Sequence, residues 1–359
     1  MNILIDIGHP AHVHYFKHVA RLLQKEGHAI LFTVREKESA ISLISELEFN
    51  YISRGKGGGT IFSKMMGLPV TTMKLVKVAK RFKPDLFLSF ASPYAAHASR
   101  IMGKDHISLD DTEHAKIAHK FYRPFTDLLL SPSCYLEKLH VRQVLFNSYM
   151  ELSYLHPLYF TPDPEVLNEL GVAEGEKYVI IRFVSWDANH DVGQSGFSKG
   201  EKVRLVDELS KRLKVFISSE SSLPEPLQKY KLMLHPANLH HALAFALLYI
   251  GEGSTTAAES AVLGTPAIYV NSLVVGYCKE LEEKYQLCFK KDKIEDVLEK
   301  AYNIMDDQSS EISFNERREK MLSEKADTTK ILFWVLNNWP ESKERLLSDR
   351  NYLLNHSIN

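Results

Sequence analysis

Short apolar runs alternate with amphipathic segments along the first half of this chain, and the alternation restricts the folds open to it. The apolar runs have the length of buried strands, and the segments between them repeat their apolar residues with the period of a helix. Strands joined by helices pair in parallel, because the helix returns the chain to the end of the sheet where the previous strand began. A doubly wound parallel sheet is therefore predicted, with strands at 3–7, 29–34, 50–53, 85–90, 106–110, 127–131 and 144–146.

The second half shows the same alternation, and a segment rich in proline at 156–164 joins the two halves. A chain of 359 residues usually forms two domains. We therefore predict two Rossmann-like domains, at 1–155 and 156–325, facing each other across a cleft. Charged helices at 326–359 are expected to pack back toward the first domain. The strands of the second domain are predicted at 178–184, 214–218, 231–235, 244–250 and 267–270.

The composition limits the classes of function. Hydrophobic residues make up 45% of the chain and charged residues 25%, as in ordinary globular proteins. The net charge is −1, which gives no general attraction for nucleic acid. The three cysteines are scattered without metal-ligand spacing, which is typical of a reducing compartment. No apolar run is long enough to span a bilayer. We expect a cytoplasmic protein that binds neither metal nor nucleic acid.

Three histidines, His9, His12 and His14, follow the first predicted strand. The turn lacks the Gly-x-Gly-x-x-Gly pattern of dinucleotide-binding folds. Loops at the carboxyl ends of parallel strands form the ligand crevice of such sheets, so these side chains are expected at its rim. His12 stands where the loop meets the helix and is the preferred catalytic base, because a neutral imidazole suits that role near pH 7. A His-x-His metal pair and ordinary polar turn residues are the alternatives.

A second polar cluster, formed by Asp110, Asp111, Glu113 and His114, follows another predicted strand. Carboxylates beside a histidine can transfer protons or bind hydroxyl groups. Asp111 is a candidate to orient the ring of His12 during catalysis. An acidic loop that caps the following helix would explain the same residues without any ligand.

The segment 251–266 lies between two predicted strands and consists mainly of glycine, serine, threonine and alanine. Ser254 is predicted to be the N-cap of a helix that follows the glycine turn. Free N–H groups and the dipole at a helix start favour a bound phosphate. Glu259 leans back toward that helix start and could bind sugar hydroxyls, although a buried helix start with one solvated glutamate is the alternative. The predicted nucleotide-binding residues of this segment are Gly253, Ser254, Thr255, Thr256 and Glu259.

Three further residues of the second half are candidates for a functional role. Arg182 lies on a predicted strand, where a nearly buried guanidinium needs an anionic partner such as a phosphate. His190 lies in a long polar loop of the kind that usually carries function, and it is a candidate catalytic residue. His235 ends the strand predicted at 231–235.

Residues 49–84 contain many lysines and arginines but no aspartate or glutamate. Basic residues beside apolar ones favour contact with an anionic membrane surface or with a lipid phosphate. We therefore predict that the segment 54–83 makes a peripheral membrane contact. A helix with one face in the core and a solvated basic face is the alternative.

The pattern Gly-x-x-Thr-x-x-Glu-x-x-x-x-Gly-x-Pro at 253–266 resembles the nucleotide-sugar motif of GT-B glycosyltransferases. It is similar to that of the GlcNAc transferase that acts on the peptidoglycan lipid intermediate, and UDP-GlcNAc 2-epimerases share the architecture. The whole chain most resembles a GT-B-like family named domain of unknown function 354. The matching pieces are 6–14, 110–114, Arg182 and 239–266.

The resemblance implies a GT-B-like fold and a glycosyltransferase. It would move a sugar from a nucleotide-diphosphate sugar, expected to be a UDP-sugar, to a sugar or lipid-linked acceptor in cell-surface polysaccharide synthesis. The donor would bind the second domain with its base near His235, and no cofactor is expected. A UDP-sugar 2-epimerase or hydrolase, and a non-catalytic binding protein, are the alternatives. The protein is expected in the cytoplasm or at the inner membrane face. The residues on the acceptor side would be His9, His14, Asp110, Glu113 and His114.

Overall fold

The computed structural model describes residues 1–37, 39–57, 61–138, 140–173, 175–184, 196–219, 221–356 and 358, with backbone only for 61–66. The chain divides into two compact units. The first unit comprises Met1–Tyr154 together with Lys325–Asn359, and the second comprises Leu155–Glu324.

All the strands run parallel within two sheets, one in each unit. The first sheet contains β1 (Asn2–Ile7), β2 (Ala29–Arg35), β3 (Tyr51–Gly55), β4 (Leu86–Phe90), β5 (Asp105–Leu109), β6 (Leu128–Pro132) and β7 (Gln143–Phe146). The second contains β8 (Tyr178–Phe183), β9 (Lys214–Ser219), β10 (Leu248–Gly251), β11 (Ala267–Val270) and β12 (Cys288–Lys291).

Helices connect the strands and follow them at the carboxyl end of the chain. They are α1 (Pro10–Lys25), α2 (Ala40–Glu46), α3 (Ile61–Phe82), α4 (Pro93–Met102), α5 (Lys116–Tyr122), α6 (Leu152–Leu155), α7 (Glu165–Glu169), α8 (Lys199–Ser210), α9 (Leu239–Ala244), α10 (Ser254–Leu263), α11 (Gly276–Glu283), α12 (Ile294–Asp306), α13 (Ser310–Glu324), α14 (Thr328–Asn337), α15 (Glu341–Ser348) and α16 (Tyr352–Asn355). Among the described residues, no helix is both long and apolar enough to cross a membrane.

The strand order of the first sheet is β3-β2-β1-β4-β5-β6-β7. The chain therefore winds outward from β1 in one direction and then from β4 in the other. The crevice at the carboxyl ends of β1 and β4 is the topological switch point, where open parallel sheets bind their ligands. The strands are almost entirely apolar because helices cover both faces of the sheet. Leu4, Phe87, Leu75 and Ala95, for example, join β1, β4, α3 and α4 in one buried cluster.

The carboxyl-terminal helices belong to the first unit. Helix α14 packs on α1, and its first residues are anchored by hydroxyl groups. Thr328 Oγ1 donates to the carbonyl oxygen of Tyr149 at 2.7 Å, and Thr329 Oγ1 donates to that of Ser153 at 2.7 Å. On α15, Lys343 Nζ forms an ion pair with Asp105 at 2.8 Å.

The second sheet has the order β12-β11-β10-β8-β9, so its switch point lies between β8 and β10. Three details differ from the sequence prediction, and the first is that β10 begins at Leu248 and not at residue 244. The strand predicted at 231–235 is absent, since only Lys231 makes a single bridge to β9 before a short 3₁₀ turn at Pro236–Asn238. Strand β12 was missed, because a run of four residues with two lysines carries little apolar signal.

Candidate active site

The second unit places a helix start at its switch point. Helix α10 begins directly after β10, next to the carboxyl end of β8. Its N-cap is Gly253 and not Ser254, which corrects the sequence prediction, and Ser254 is the first helical residue. Glycine is an accepted N-cap residue, and no side chain caps this helix start. The first N–H groups of α10 therefore have no acceptor within the helix. Ser254 and Thr255 are half-buried, and Thr256 is buried.

Gly251 is required by close packing beneath that helix start. A Cβ atom at this position would collide with the hydroxyl of Tyr249 and would lie 3.1 Å from the carbonyl oxygen of Arg182. A Cβ atom at Gly253 would meet only Val184, at 3.4 Å. The first glycine of the segment therefore lets two strand ends approach each other, whereas the second has room for a small side chain.

Tyr277 of α11 fixes the hydroxyl group of Ser254. The phenol donates to Ser254 Oγ at 2.7 Å. On the same helix, Cys278 Sγ approaches the carbonyl oxygen of Ser254 at 3.7 Å. Helix α11 thus holds the first turn of α10 in place. This contact could not be predicted from the sequence, because no local pattern links residues 254 and 277.

Glu259 lies in a buried pair on the second turn of α10. Its Oε1 is 3.0 Å from Nε2 of His240 on α9, and both residues are more than nine-tenths buried. The solvated glutamate considered as an alternative is therefore excluded. His241, the neighbouring histidine, faces another way and accepts a hydrogen bond from the backbone N–H of Asp163 at 2.9 Å.

Glu252 is a buried carboxylate that the sequence analysis did not single out. It accepts from the backbone N–H groups of Val184 at 2.9 Å and Phe197 at 2.8 Å, and Lys202 Nζ lies at 3.4 Å. Burial raises the pKa of this carboxyl, while Lys202 and the two backbone bonds lower it. Glu252 therefore ties the end of β8 and the approach to α8 to the start of α10.

Among the remaining candidates of the second unit, Arg182 lies next to this helix start, because its strand position pairs with Gly251. Arg182 on β8 is half-buried, and its Nη1 donates to Ser218 Oγ on β9 at 2.9 Å. His235 is exposed just before the 3₁₀ turn. His190 falls in 185–195, outside the described residues.

In the first unit, Asp6 connects the elements around the switch point. This fully buried carboxylate accepts from Thr33 Oγ1 at 2.8 Å, from Arg54 Nε at 2.9 Å and from Ser92 Oγ at 2.6 Å. Ser92 is also the N-cap of α4. The guanidinium of Arg54 lies over the ring of Tyr94, 4.7 Å from its centroid. Arg54 is thus a buried ion-pair partner, which corrects its assignment to an outward basic segment.

His9 and His12 stand beside this network at the start of α1. His9 is the N-cap, and its ring accepts from the backbone N–H of Ala11 at 3.3 Å. Nδ1 of His12 accepts from the N–H of Gly8 at 3.3 Å. Burial lowers the pKa of His12 well below its usual value, and the charges of His9, Arg54 and Lys37 lower it further. The ring is therefore neutral near pH 7, with its proton on Nε2.

This tautomer bears on the predicted role of His12 as a general base. A general base offers an unprotonated nitrogen to the substrate. In the arrangement described, His12 offers an N–H donor at Nε2, because Nδ1 is occupied by Gly8. His14 lies on another face of α1 and stacks on Tyr154, with 5.2 Å between ring centroids.

Asp110 is the centre of a buried ion-pair network. Its oxygens accept from the Thr112 N–H at 2.9 Å, the Tyr122 hydroxyl at 2.6 Å and Arg123 Nη2 at 2.9 Å, and His119 Nε2 lies at 3.1 Å. Burial alone would raise the pKa of Asp110, but these partners, His119 foremost, hold it below its usual value. The side chain of Asp110 is fully buried and its oxygens are engaged by these partners, and its role on the acceptor side stays a prediction.

The adjacent Asp111 is in the opposite electrostatic situation. Burial raises its pKa to about 8, and the charges of Asp110 and Glu113 add to the effect. Its only described side-chain hydrogen bond is from Thr112 Oγ1, at 3.1 Å. Glu113 is buried and accepts from the N–H of Leu136 at 3.3 Å, and His114 is half-buried. Asp111 therefore carries its proton over most of the neutral range and can act as an acid.

Comparison with known protein families identifies the family of this chain. The sequence model described as "Protein of unknown function (DUF354)" matches residues 1–339. The chain belongs to the DUF354 family. A relative, "Uncharacterized protein MJ0665" from Methanocaldococcus jannaschii, is 24% identical over 312 residues, which are 81% of this chain and 88% of the relative.

Solved structures establish the fold of this DUF354 protein. A UDP-N-acetylglucosamine 2-epimerase structure from Listeria monocytogenes, titled as a putative one, covers 95% of this chain and 97% of its own at a TM-score of 0.66 and 11% identity. The spinosyn rhamnosyltransferase SpnG in complex with spinosyn aglycone covers 94% of this chain and 100% of its own at a TM-score of 0.62 and 12% identity. The GT-B-like fold predicted from the sequence is confirmed. At such low identities, the similarity shows the fold alone.

Several residues of the two sites were not found from the sequence. They are joined by contacts across the fold and not by spacing along the chain. Within the described residues, no three side chains among His, Cys, Asp and Glu converge as a metal-binding group. The residues added by the structure are Asp6, Arg54, Arg123, Glu252 and Tyr277.

The two adjacent aspartates predict opposite effects of pH on stability. The native state raises the pKa of Asp111 from about 3.9 in an unfolded chain to about 8. Stability from this group is therefore fully present below about pH 4 and is lost as the pH rises through about 8. Asp111→Asn removes this loss, so the variant should gain thermal stability relative to wild type between pH 5 and pH 8.5. Calorimetric unfolding at several pH values measures the difference.

Asp110→Asn is the matched control. The pKa of Asp110 is lowered in the native state, so its stabilisation is present above about pH 4 and is lost as the pH falls. This variant should be destabilised at pH 7, because Arg123 and His119 lose their buried charge partner. A difference between Asp111→Asn and wild type that is constant across the pH range would show that Asp111 titrates normally.

Proposed function

We propose that this DUF354 protein is a glycosyltransferase that uses a nucleotide-diphosphate sugar, with a UDP-sugar as the expected donor. The observation that carries the proposal is the start of α10 at the switch point of the second sheet. A helix start at the carboxyl edge of a parallel sheet presents backbone N–H groups and a positive dipole end to a ligand. The same fold occurs in a spinosyn rhamnosyltransferase and in a UDP-N-acetylglucosamine 2-epimerase structure, which supports the same class of substrate.

In this proposal the diphosphate binds at the first turn of α10. The N–H groups of Ser254, Thr255 and Thr256 have no acceptor within the helix and would bind phosphate oxygens. Gly251 allows the close approach of the strand ends below, and Tyr277 holds the Ser254 hydroxyl in place. These groups are preorganised, so little conformational cost opposes binding. They would also stabilise the charge on the leaving diphosphate without a metal ion.

Glu259 is proposed to bind the ribose hydroxyls of the donor. One of its oxygens is held by His240, which fixes the carboxylate on the second turn, one turn beyond the proposed phosphate site. His240 acts here as a positioning residue. A carboxylate accepting from a hydroxyl group forms a charge-assisted hydrogen bond, which is stronger than a neutral one.

The first unit is proposed to bind the acceptor near His12. His12 is neutral and lies near Arg54 at the switch point of the first sheet. Its Nε2–H would donate to the acceptor or, after release of the Gly8 bond, the ring would serve as the base predicted from the sequence. His9, His14, Glu113, His114 and Asp111 remain candidates for the acceptor side.

One observation favours the alternative of a UDP-sugar 2-epimerase or hydrolase. Asp111 is protonated near pH 7 and lies at the carboxyl edge of the first sheet, where it could supply the proton that an elimination or hydrolysis needs. A simple transfer to a hydroxyl requires a base but no strong acid at the acceptor.

Binding and product analysis test the proposed function. We expect calorimetry with UDP, dTDP, GDP and ADP to show binding of one nucleoside diphosphate. The matching sugar nucleotide should release that diphosphate only when a sugar or lipid-linked acceptor is added. Release or epimerisation without an acceptor would favour the alternative. Failure of every nucleotide to bind would contradict both the transferase proposal and the epimerase or hydrolase alternative. It would favour a non-catalytic protein with this fold.

Glu259→Gln tests the ribose contact. Glutamine keeps an oxygen that can accept from His240 but loses the charge, so the fold is preserved while the bond to a ribose hydroxyl weakens. We expect affinity for the preferred nucleotide to fall about 10- to 100-fold, the value of a hydrogen bond to a charged group. The matched control is Glu208→Gln, which removes the charge of another half-buried glutamate, on α8, where it pairs with Lys211 and Tyr302. Unchanged nucleotide affinity with a lowered unfolding midpoint would make Glu259 a structural residue only.

His12→Gln and His12→Ala distinguish a donor from a base. Glutamine retains an N–H donor but is no base. If His12 donates through Nε2, turnover of His12→Gln should stay within about tenfold of wild type while His12→Ala loses about 10²–10⁴-fold. Turnover of wild type should show no inflection from His12 near pH 7, because burial lowers the pKa of His12 well below its usual value. His356→Ala, on an exposed carboxyl-terminal residue, is the control. Equal losses of turnover in both His12 variants would favour His12 as a general base over a hydrogen-bond donor.

A further inference from the structure

The outer face of α3 carries a continuous row of exposed apolar and basic side chains. Counting from Val70, the positions i, i+3, i+4, i+7 and i+11 fall on one side of the helix. Val70 is 61% exposed and Met73 is 54% exposed, although apolar side chains of this size are usually covered. We call this row the α3 stripe; its members are Val70, Met73, Lys74, Lys77 and Arg81.

The opposite side of α3 packs into the core of the first unit, so the α3 stripe is not needed to hold the helix in place. Leu75, Val76 and Ala79 are buried against β1, β4 and α4. The α3 stripe faces away from this cluster. Pro69, Val70, Met73, Lys74 and Lys77 line an open hollow of about 470 Å³ on the surface.

The positive charge of this face is not neutralised within the described residues. No described acidic side chain forms an ion pair with Lys74, Lys77 or Arg81. Some lysines elsewhere on the surface do have such partners, as in the pairs Lys116–Glu137, Lys214–Glu176 and Lys284–Glu324. The outer face of α3 therefore carries three basic side chains close together without an acidic partner among the described residues.

We propose that the α3 stripe docks on the surface of an anionic membrane. Its apolar residues come first along the helix and its basic residues follow, so Val70 and Met73 would enter the acyl boundary while Lys77 and Arg81 contact lipid phosphates. The positive charges of the α3 stripe favour an anionic membrane over an uncharged partner. A neutral apolar partner would leave three cations without counter-charges inside the contact.

The α3 stripe is continuous with the candidate site of the first unit. Lys74 Nζ donates to the carbonyl oxygen of Arg54 at 3.4 Å, and Arg54 is the ion-pair partner of Asp6. A membrane docked on α3 would therefore lie beside the switch point of the first sheet. This inference does not depend on the proposed transferase activity, because binding is measured without substrate.

Cosedimentation with lipid vesicles tests the proposal. The full chain should bind vesicles of phosphatidylcholine with phosphatidylglycerol at low salt, and bind phosphatidylcholine alone at least tenfold more weakly. The double variant Lys77→Glu/Arg81→Glu should lower the partition coefficient on anionic vesicles by at least about 30-fold, because two basic contacts are lost and two negative charges are added. Added salt should weaken wild-type binding in the same direction.

The matched control is Lys293→Glu/Lys320→Glu, which makes the same change in net charge at exposed positions of the second unit. It should bind anionic vesicles within about twofold of wild type. Val70→Ser/Met73→Ser should reduce the binding that persists at high salt, and thermal unfolding of each variant should match wild type. Equal binding to neutral and anionic vesicles, an equal loss in the control, or no wild-type binding at low salt would overturn the proposal.

Discussion

Two buried carboxylates organise the two switch points, and the geometry of both candidate sites depends on them. Asp6 gathers side chains from β2, β3 and the start of α4, and Glu252 gathers backbone groups from the end of β8 and the approach to α8. A buried charge is tolerated only when several donors replace its water. Each carboxylate therefore holds its neighbouring segments in one arrangement, since separating any of them would expose an unsatisfied charge.

The two units nevertheless build their sites from different groups. In the site proposed around α10, backbone N–H groups would bind the ligand, while Tyr277 and His240 contact Ser254 and Glu259 and would act indirectly by fixing them. Around α1 and α4 the groups are side chains whose ionisation depends on their surroundings. A site of the first kind suits a fixed phosphate geometry, whereas a site of the second kind can transfer protons.

Much of the fold could be predicted from the sequence, because strand and helix periodicity are local properties. All the strands of the first sheet lie within two residues of their predicted positions. Helix α10 was also found, but its N-cap was misassigned because serine is preferred there over glycine. Contacts such as Arg54 with Asp6 and Tyr277 with Ser254 could not be predicted, since they join residues that only the completed topology brings together.

The pair Asp110 and Asp111 shows why residue type alone does not identify a proton donor. The two neighbours share a loop, and both are buried. Asp110 meets a guanidinium, a phenol, an imidazole and a backbone N–H, so its charge is stabilised and its chemistry is confined to the fold. That stabilised charge then acts on Asp111, which has a single hydroxyl donor and retains its proton. The ion pair that appears purely structural is therefore a reason why the next residue can serve as an acid near neutral pH.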